Sequence, residues 1–280
     1  MAVRSTGELM EAARQAGRGL AAFNVITLEH AEGILDGAAK AGAPVILQIS
    51  ENAVKYHDGR LEPLAAACVR LAEAVDVDAA LHLDHVTDRA LIERAPDAGF
   101  GSAMFDASTL PYDENVAATA SVAAWGHAHG LWVEAELGEV GGKDGVHSAT
   151  ARTDPADAAA YVAATGVDGL AVAIGTSHAM LDKTAALDLG LLTRIADQVR
   201  VPLVLHGSSG VPDELLGRAV SAGLTKINIG TALNIAFTHG VRASLAANPD
   251  RVDPRRYLAA ARSEVADIVA HLATVVSGTP

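Results

Sequence analysis

Short apolar runs alternate with longer stretches in which alanine and leucine recur at helical spacing, from one end of the chain to the other. Eight runs read as strands: Ala21–Val25, Pro44–Ile49, Ala79–Asp84, Gly101–Phe105, Leu131–Leu137, Gly169–Ile174, Pro202–Leu205 and Thr225–Ile229. They are short and apolar almost throughout, as strands covered on both faces must be. Between them Glu29–Ala41, Leu61–Val75, Asp88–Ala98, Asn115–His129, Asp154–Thr165, Leu189–Val199 and Glu214–Ala222 read as helices, and more helix follows Thr231. Eight strand–helix units in 280 residues predict an α/β fold of the TIM (β/α)8 barrel type. A doubly wound sheet uses fewer strands and often opens on a glycine-rich turn, and no G-x-G-x-x-G follows the first run here. No Pro/Gly/Ser-rich linker or shift in composition divides the chain, so residues 1–280 read as one barrel domain.

The ends of the runs are polar. The third, Ala79-Ala80-Leu81-His82-Leu83-Asp84-His85, stops in two histidines and an aspartate. Alternation puts His82 and Asp84 on one face, and His85 falls where the strand runs out and reaches into a cleft. Such groups are too costly to bury unless paired or metal-bound. Asn24 follows the first run, Ser50 the second, and Asp106 and Ser108 the fourth, while Glu134 and Glu136 share a face of the fifth. The last three runs lead into Gly175-Thr176-Ser177-His178, His206-Gly207-Ser208-Ser209-Gly210 and Asn228-Ile229-Gly230-Thr231. This is the face on which barrel enzymes carry their active sites.

His85, His178 and His206 come from three strand ends that barrel closure would bring together. Three neutral imidazoles with an open fourth position make a catalytic zinc site. Asp106 and Glu136 offer oxygen to a second, harder cation, monovalent or divalent, or act as supporting contacts to the histidines. The turns at Gly207-Ser208-Ser209 and Asn228-Ile229-Gly230-Thr231 present backbone N–H groups and hydroxyls to an anion, at the two strand ends where barrels hold phosphate. His30, His127, His129, His239 and His271 read as surface residues, and His57 and His147 as loop positions able to close over a ligand.

Charge and cysteine content narrow the partners. A net charge of -13 argues against nucleic acid and anionic membrane surfaces, whose phosphates it would repel. No apolar run approaches a bilayer span and the start lacks a signal-peptide core, so the expected location is cytoplasmic. Cys68, the only cysteine, excludes an internal disulfide and reads as a core residue of a helix.

Taken together these blocks resemble the class II, zinc-dependent fructose-bisphosphate and tagatose-bisphosphate aldolases. The resemblance runs through Ala22-Phe23-Asn24, Pro44 to Ser50, His82-Leu83-Asp84-His85, Met104 to Ser108, Val133 to Gly138 with Gly141-Gly142, and Ala171 to His178. It continues through His206 to Gly210, Lys226 to Thr231 and Asp253 to Leu258; the H-x-D-H and E-x-E-L-G-x-x-G-G blocks are the most specific. It implies zinc on His85, His178 and His206, and Asp84 as the acid/base for the hydroxyl proton of the bond made or broken. Gly207 to Ser209 and Asn228 to Thr231 would hold a dihydroxyacetone phosphate moiety, Asn24, Ser50 and Ala179 would be further substrate-binding positions, and Asp106 and Glu136 match positions tied to a second cation. It further implies reversible cleavage of a phosphorylated ketose, fructose 1,6-bisphosphate first, to dihydroxyacetone phosphate and glyceraldehyde 3-phosphate. The expected setting is glycolytic carbohydrate metabolism, and the expected assembly a homodimer or homotetramer.

Some positions depart from the pattern. Val86 stands where the family has a small residue or histidine, Ala179 for a glycine beside the phosphate, and Leu181 for a tyrosine; Asp182 precedes the displaced Lys183. Asp144 replaces the glutamate that handles the carbon-bound proton, with a shorter reach. These departures leave room for tagatose 1,6-bisphosphate or a phosphorylated deoxy-keto-gluconate. Three rivals are a Schiff-base aldolase using Lys226, a zinc hydrolase, and a barrel that binds sugar phosphate without turnover. Arg255 and Arg256 are candidates for a second phosphate.

Overall fold

Eight parallel strands close in sequence order: β1 (Leu20–Asn24), β2 (Val45–Ser50), β3 (Ala79–Val86), β4 (Ser102–Phe105), β5 (Trp132–Glu136), β6 (Gly169–Ala171), β7 (Leu203–Leu205) and β8 (Leu224–Ile229). Closure is made by β1 on β8, with Leu20 opposite Lys226 and Phe23 opposite Ile229. This computed structural model describes residues 3–137, 152–176 and 186–278, and of Ser209 the backbone alone. The helices among them are α1 (Thr6–Gln15), α2 (Leu28–Ala41), α3 (Glu51–Tyr56), α4 (Glu62–Glu73), α5 (Arg89–Arg94), α6 (Tyr112–Ala128), α7 (Pro155–Thr165), α8 (Leu189–Gln198), α9 (Asp213–Ser221), α10 (Thr231–Ala247) and α11 (Pro254–Ser277). The architecture is the anticipated TIM barrel.

Every expected run forms a strand, with ends moved by a few residues. The helix expected over Asp88–Ala98 shortens to α5, because Pro96 has no N–H to offer the carbonyl of Ile92. Two of the described helices lie outside the expected set. α3 is capped by Ser50, whose Oγ accepts from Ala53 N at 3.1 Å. α1 starts at Ser5-Thr6-Gly7-Glu8, an S-x-x-E capping sequence that announces a helix start.

The apolar core has two parts. The larger lies between strands and outer helices, with Phe23, Leu47, Leu81, Leu83, Tyr161, Leu205 and Ile227. The smaller closes the barrel floor: Leu9, Met10 and Ala13 of α1 pack on Leu20, Ala22, Ile46 and Ala80, which point inward from β1, β2 and β3. Above that plug the interior turns polar. His82, Ser102, Glu134 and Lys226 are all fully buried there, and the Ser102 and Thr6 hydroxyls meet at 2.7 Å. Cys68 is buried in α4, as expected.

His30 departs from expectation: the Phe237 ring of α10 covers it. It is 4% exposed, stacks on Phe237 with ring centroids 4.6 Å apart and bonds Thr27 Oγ1 at 3.1 Å. Burial pulls its pKa down to about 4, against the opposing charge of Glu29. The unfolded chain therefore takes up a proton near pH 6.5 that the folded chain refuses until about 4. Stability present above pH 6.5 is lost as pH falls through this window, by up to about 3 kcal/mol. A His30→Phe variant keeps the stack, and its urea midpoint should fall less than that of the wild type between about pH 7 and about pH 4.5. An equal fall would remove His30 from the acid response.

Candidate active site

The carboxyl ends of the strands surround a cleft of about 450 Å³. β3 supplies Asp84 and His85 by a local distortion. Its register with β4 shifts between Leu83 and Val86, and His85 adopts a left-handed backbone with φ of 49°. Extended backbone would send His85 to the face opposite Asp84, whereas the bulge turns both toward the cleft. The strand thus continues through His85 to Val86 rather than running out there, and the buried Val86 pairs with Phe105.

Asp84 is held from two sides. Asn228 Nδ2 donates to its Oδ1 at 3.2 Å, and Asn24 Nδ2 to its Oδ2 at 3.5 Å. Gln48 Nε2 fixes Asn24 by donating to its Oδ1 at 2.9 Å. His85 Nδ1 meets Asp106 Oδ2 at 3.0 Å, and Asp106 also accepts from the Ser108 hydroxyl. The His206 ring lies 4.6 Å from that of His85. Its Nε2 is 3.1 Å from Glu134 Oε1 and its Nδ1 is 3.3 Å from Glu136 Oε2.

Donor atoms of Asp84, His85 and His206 lie within 4.8 Å of one another, as do those of His85, Asp106 and Glu136. Two imidazoles and carboxylates converging in one part-buried place are a donor set that suits zinc.

Burial acts against every charge here, and the neighbours decide the outcome. It would raise Asp84, but the charges of His85 and Lys226 outweigh it and hold the carboxyl below its usual range. Asp106 is likewise lowered by His85 and Ser108, and Glu134 by Lys226 and His206. Burial would lower His206, yet Glu134 and Glu136 together hold it up at about 10. His82 is pulled down to about 3 by burial and then by Lys226, so it is neutral.

The β7 and β8 ends form the opposite wall. Gly207 takes a left-handed φ of 66°, which starts the 3₁₀ turn Ser208–Gly210. The Ser208 hydroxyl donates to Asn228 O at 2.5 Å and the Thr176 hydroxyl to His206 O at 2.7 Å, tying three strand ends together. Gly230 begins α10 where a Cβ would sit 2.8 Å from Asn24 Oδ1, so only glycine passes there without moving Asn24. Gly207, Ser208, Gly230 and Thr231 line the cleft at the N-terminus of α10, where anions are favoured.

Of the residues singled out from the sequence, Asn24, Ser50, Asp84, His85, Asp106, Gly207, Ser208, Asn228, Gly230 and Thr231 line this one cleft, with His206 and Glu136 beside His85. Ile229 packs in the apolar core instead, because alternation along β8 turns it away from the barrel axis. His178, Ala179, Leu181, Asp182, Lys183, Asp144 and His147 lie outside the described residues, and the Ser209 side chain is not described. His57 bonds the Ile26 carbonyl at 2.7 Å and lines a separate groove with Leu28 and Tyr56, away from the main cleft. Arg255 is exposed and paired with Asp253 at 2.8 Å, outside the cleft-lining set. Lys226 is sealed in the barrel, 2.7 Å from Glu134 Oε2, as a lysine paired to a carboxylate. Glu134 is a residue for which sequence reading finds no role. Its signal is the E-x-E alternation, which already sets it on the face of Glu136.

The family model for class II fructose-bisphosphate aldolase matches residues 4–279. The YdjI aldolase of Escherichia coli is 30% identical, the match covering 99% of this chain and 97% of that one, with a TM-score of 0.85. A fructose-bisphosphate aldolase of Campylobacter jejuni is 25% identical over 98% of this chain and 95% of its own, with a TM-score of 0.84. With the barrel, the cleft and these likenesses in agreement, the chain belongs to the class II fructose-bisphosphate aldolase family and is a lyase of the aldolase type.

Proposed function

We propose that this enzyme cleaves fructose 1,6-bisphosphate reversibly to dihydroxyacetone phosphate and glyceraldehyde 3-phosphate, with zinc held by His85, His178 and His206. The observation that carries the reading is the convergence of Asp84, His85 and His206 opposite the glycine and hydroxyl loops of β7 and β8. Zinc bound there supplies Lewis-acid polarisation of the substrate oxygens.

The remaining work falls to the chain's own groups. Gly207, Ser208 and the α10 N-terminus receive the phosphate next to the ketone. Asn24 and Asn228 aim the ionised Asp84 at the hydroxyl of the carbon that becomes the aldehyde. Asp84 takes that proton as the carbon–carbon bond breaks, the bonding electrons pass to the carbon beside the ketone, and Asp144 returns a proton there. Asp106 and Glu136 support His85 and His206 or share a second cation with them.

The test is release of dihydroxyacetone phosphate from fructose 1,6-bisphosphate with and without a chelator, and with borohydride trapping in parallel. Activity abolished by chelation and restored by zinc is expected. Borohydride inactivation with indifference to the chelator would shift the mechanism to Lys226. Zinc binding without cleavage would move the substrate to another phosphorylated ketose.

A further inference from the structure

Beneath the cleft a buried polar chain runs from His206 down to the barrel floor. Glu134 meets His206 Nε2 at 3.1 Å through Oε1 and accepts from Lys226 Nζ at 2.7 Å through Oε2. Lys226 Nζ lies 3.3 Å from His82 Nε2, and His82 Nδ1 lies 2.8 Å from Ser102 Oγ. Stability alone does not account for a charged pair at the barrel centre, since apolar replacements of buried pairs are often neutral or stabilising.

Donor and acceptor accounting has one solution. An ammonium only donates, so Lys226 donates to Glu134 and to His82 Nε2. His82 then carries its hydrogen on Nδ1 and gives it to Ser102. An ionised carboxylate only accepts, so the His206 nitrogen facing Glu134 carries a hydrogen. The other edge of His206, Nδ1, is turned toward Glu136 and the His85 ring.

We infer that Glu134, held in place by Lys226, is a positioning residue that fixes the ring plane and tautomer of His206 and presents Nδ1 to a metal at the cleft floor. The inference rests on the zinc reading proposed above. A carboxylate behind a ligating imidazole is worth roughly 10- to 100-fold in metal affinity.

Two charge-neutral double variants separate positioning from support of the fold. Lys226→Met with Glu134→Gln keeps an oxygen able to accept from His206, whereas Lys226→Met with Glu134→Leu keeps the bulk and removes the acceptor. Zinc affinity is read by chelator competition on metal-stripped protein, with thermal unfolding of the metal-free forms alongside. The glutamine variant should bind zinc within about threefold of wild type, and the leucine variant roughly 10- to 100-fold more weakly, while the metal-free forms melt alike. If the leucine variant does not fold, Lys226→Met with Glu134→Met takes its place in the same comparison. Equal zinc affinity in the two doubles would overturn the inference and leave the zinc reading standing. A wild-type protein that binds no zinc would overturn both.

Discussion

Replacing Asp84 by alanine is expected to lower aldol cleavage about a thousandfold while leaving bound zinc stoichiometric. Asp84 is nearly sealed from water, yet its neighbours keep it ionised, the state required to take a hydroxyl proton. Three amides fix its direction: Asn228 and Asn24 donate to its two oxygens, and Gln48 locks Asn24. A base aimed in this way contributes through the proton it moves, so the loss should appear in kcat rather than KM. Turnover and zinc content measured on one preparation decide between roles. Normal turnover would remove Asp84 from the mechanism. Parallel loss of zinc and activity would make it a ligand, a role that its closeness to His85 and His206 also permits. Asp84→Asn keeps the volume and one acceptor, and it should be as inactive as the alanine variant.

The barrel is legible in the sequence because a strand covered on both faces must be apolar along its whole length, and β2 and β8 are buried nearly throughout. Its mouth is legible because polar residues at strand ends have no packing reason to be there; Asn24, Asp84, Asp106 and Asn228 all reach one cleft. What pattern alone leaves out is pairing across the barrel. Lys226 and Glu134 are 92 residues apart, and their contact depends on how the closed sheet staggers β5 against β8. The turn of His85 into the cleft depends on a bulge, where strict alternation would place it opposite Asp84. His30 is hidden for a similar reason, since the cover that buries it comes from α10, far along the chain.

Replacing His206 by alanine is expected to cost the metal itself. Among the described residues, His206 is the histidine whose two nitrogens both face carboxylates, Nε2 3.1 Å from Glu134 and Nδ1 3.3 Å from Glu136. Its ring is therefore fixed before any metal arrives, so its removal takes away a preset donor and not only a charge. Zinc affinity should fall by more than the roughly 100-fold that loss of a supporting carboxylate brings, and cleavage should fall with it to the level of chelator-stripped wild type. The fold should hold, because Glu134 keeps Lys226 as its partner and the apolar plug beneath is untouched. Metal content after dialysis, compared with the melting curve of the metal-free protein, separates the two effects. An intact His206→Ala protein that still carries one zinc per chain would take His206 out of the ligand set. Loss of zinc with an unchanged melting curve would assign it there, with Glu134 and Glu136 as the groups that hold it in line.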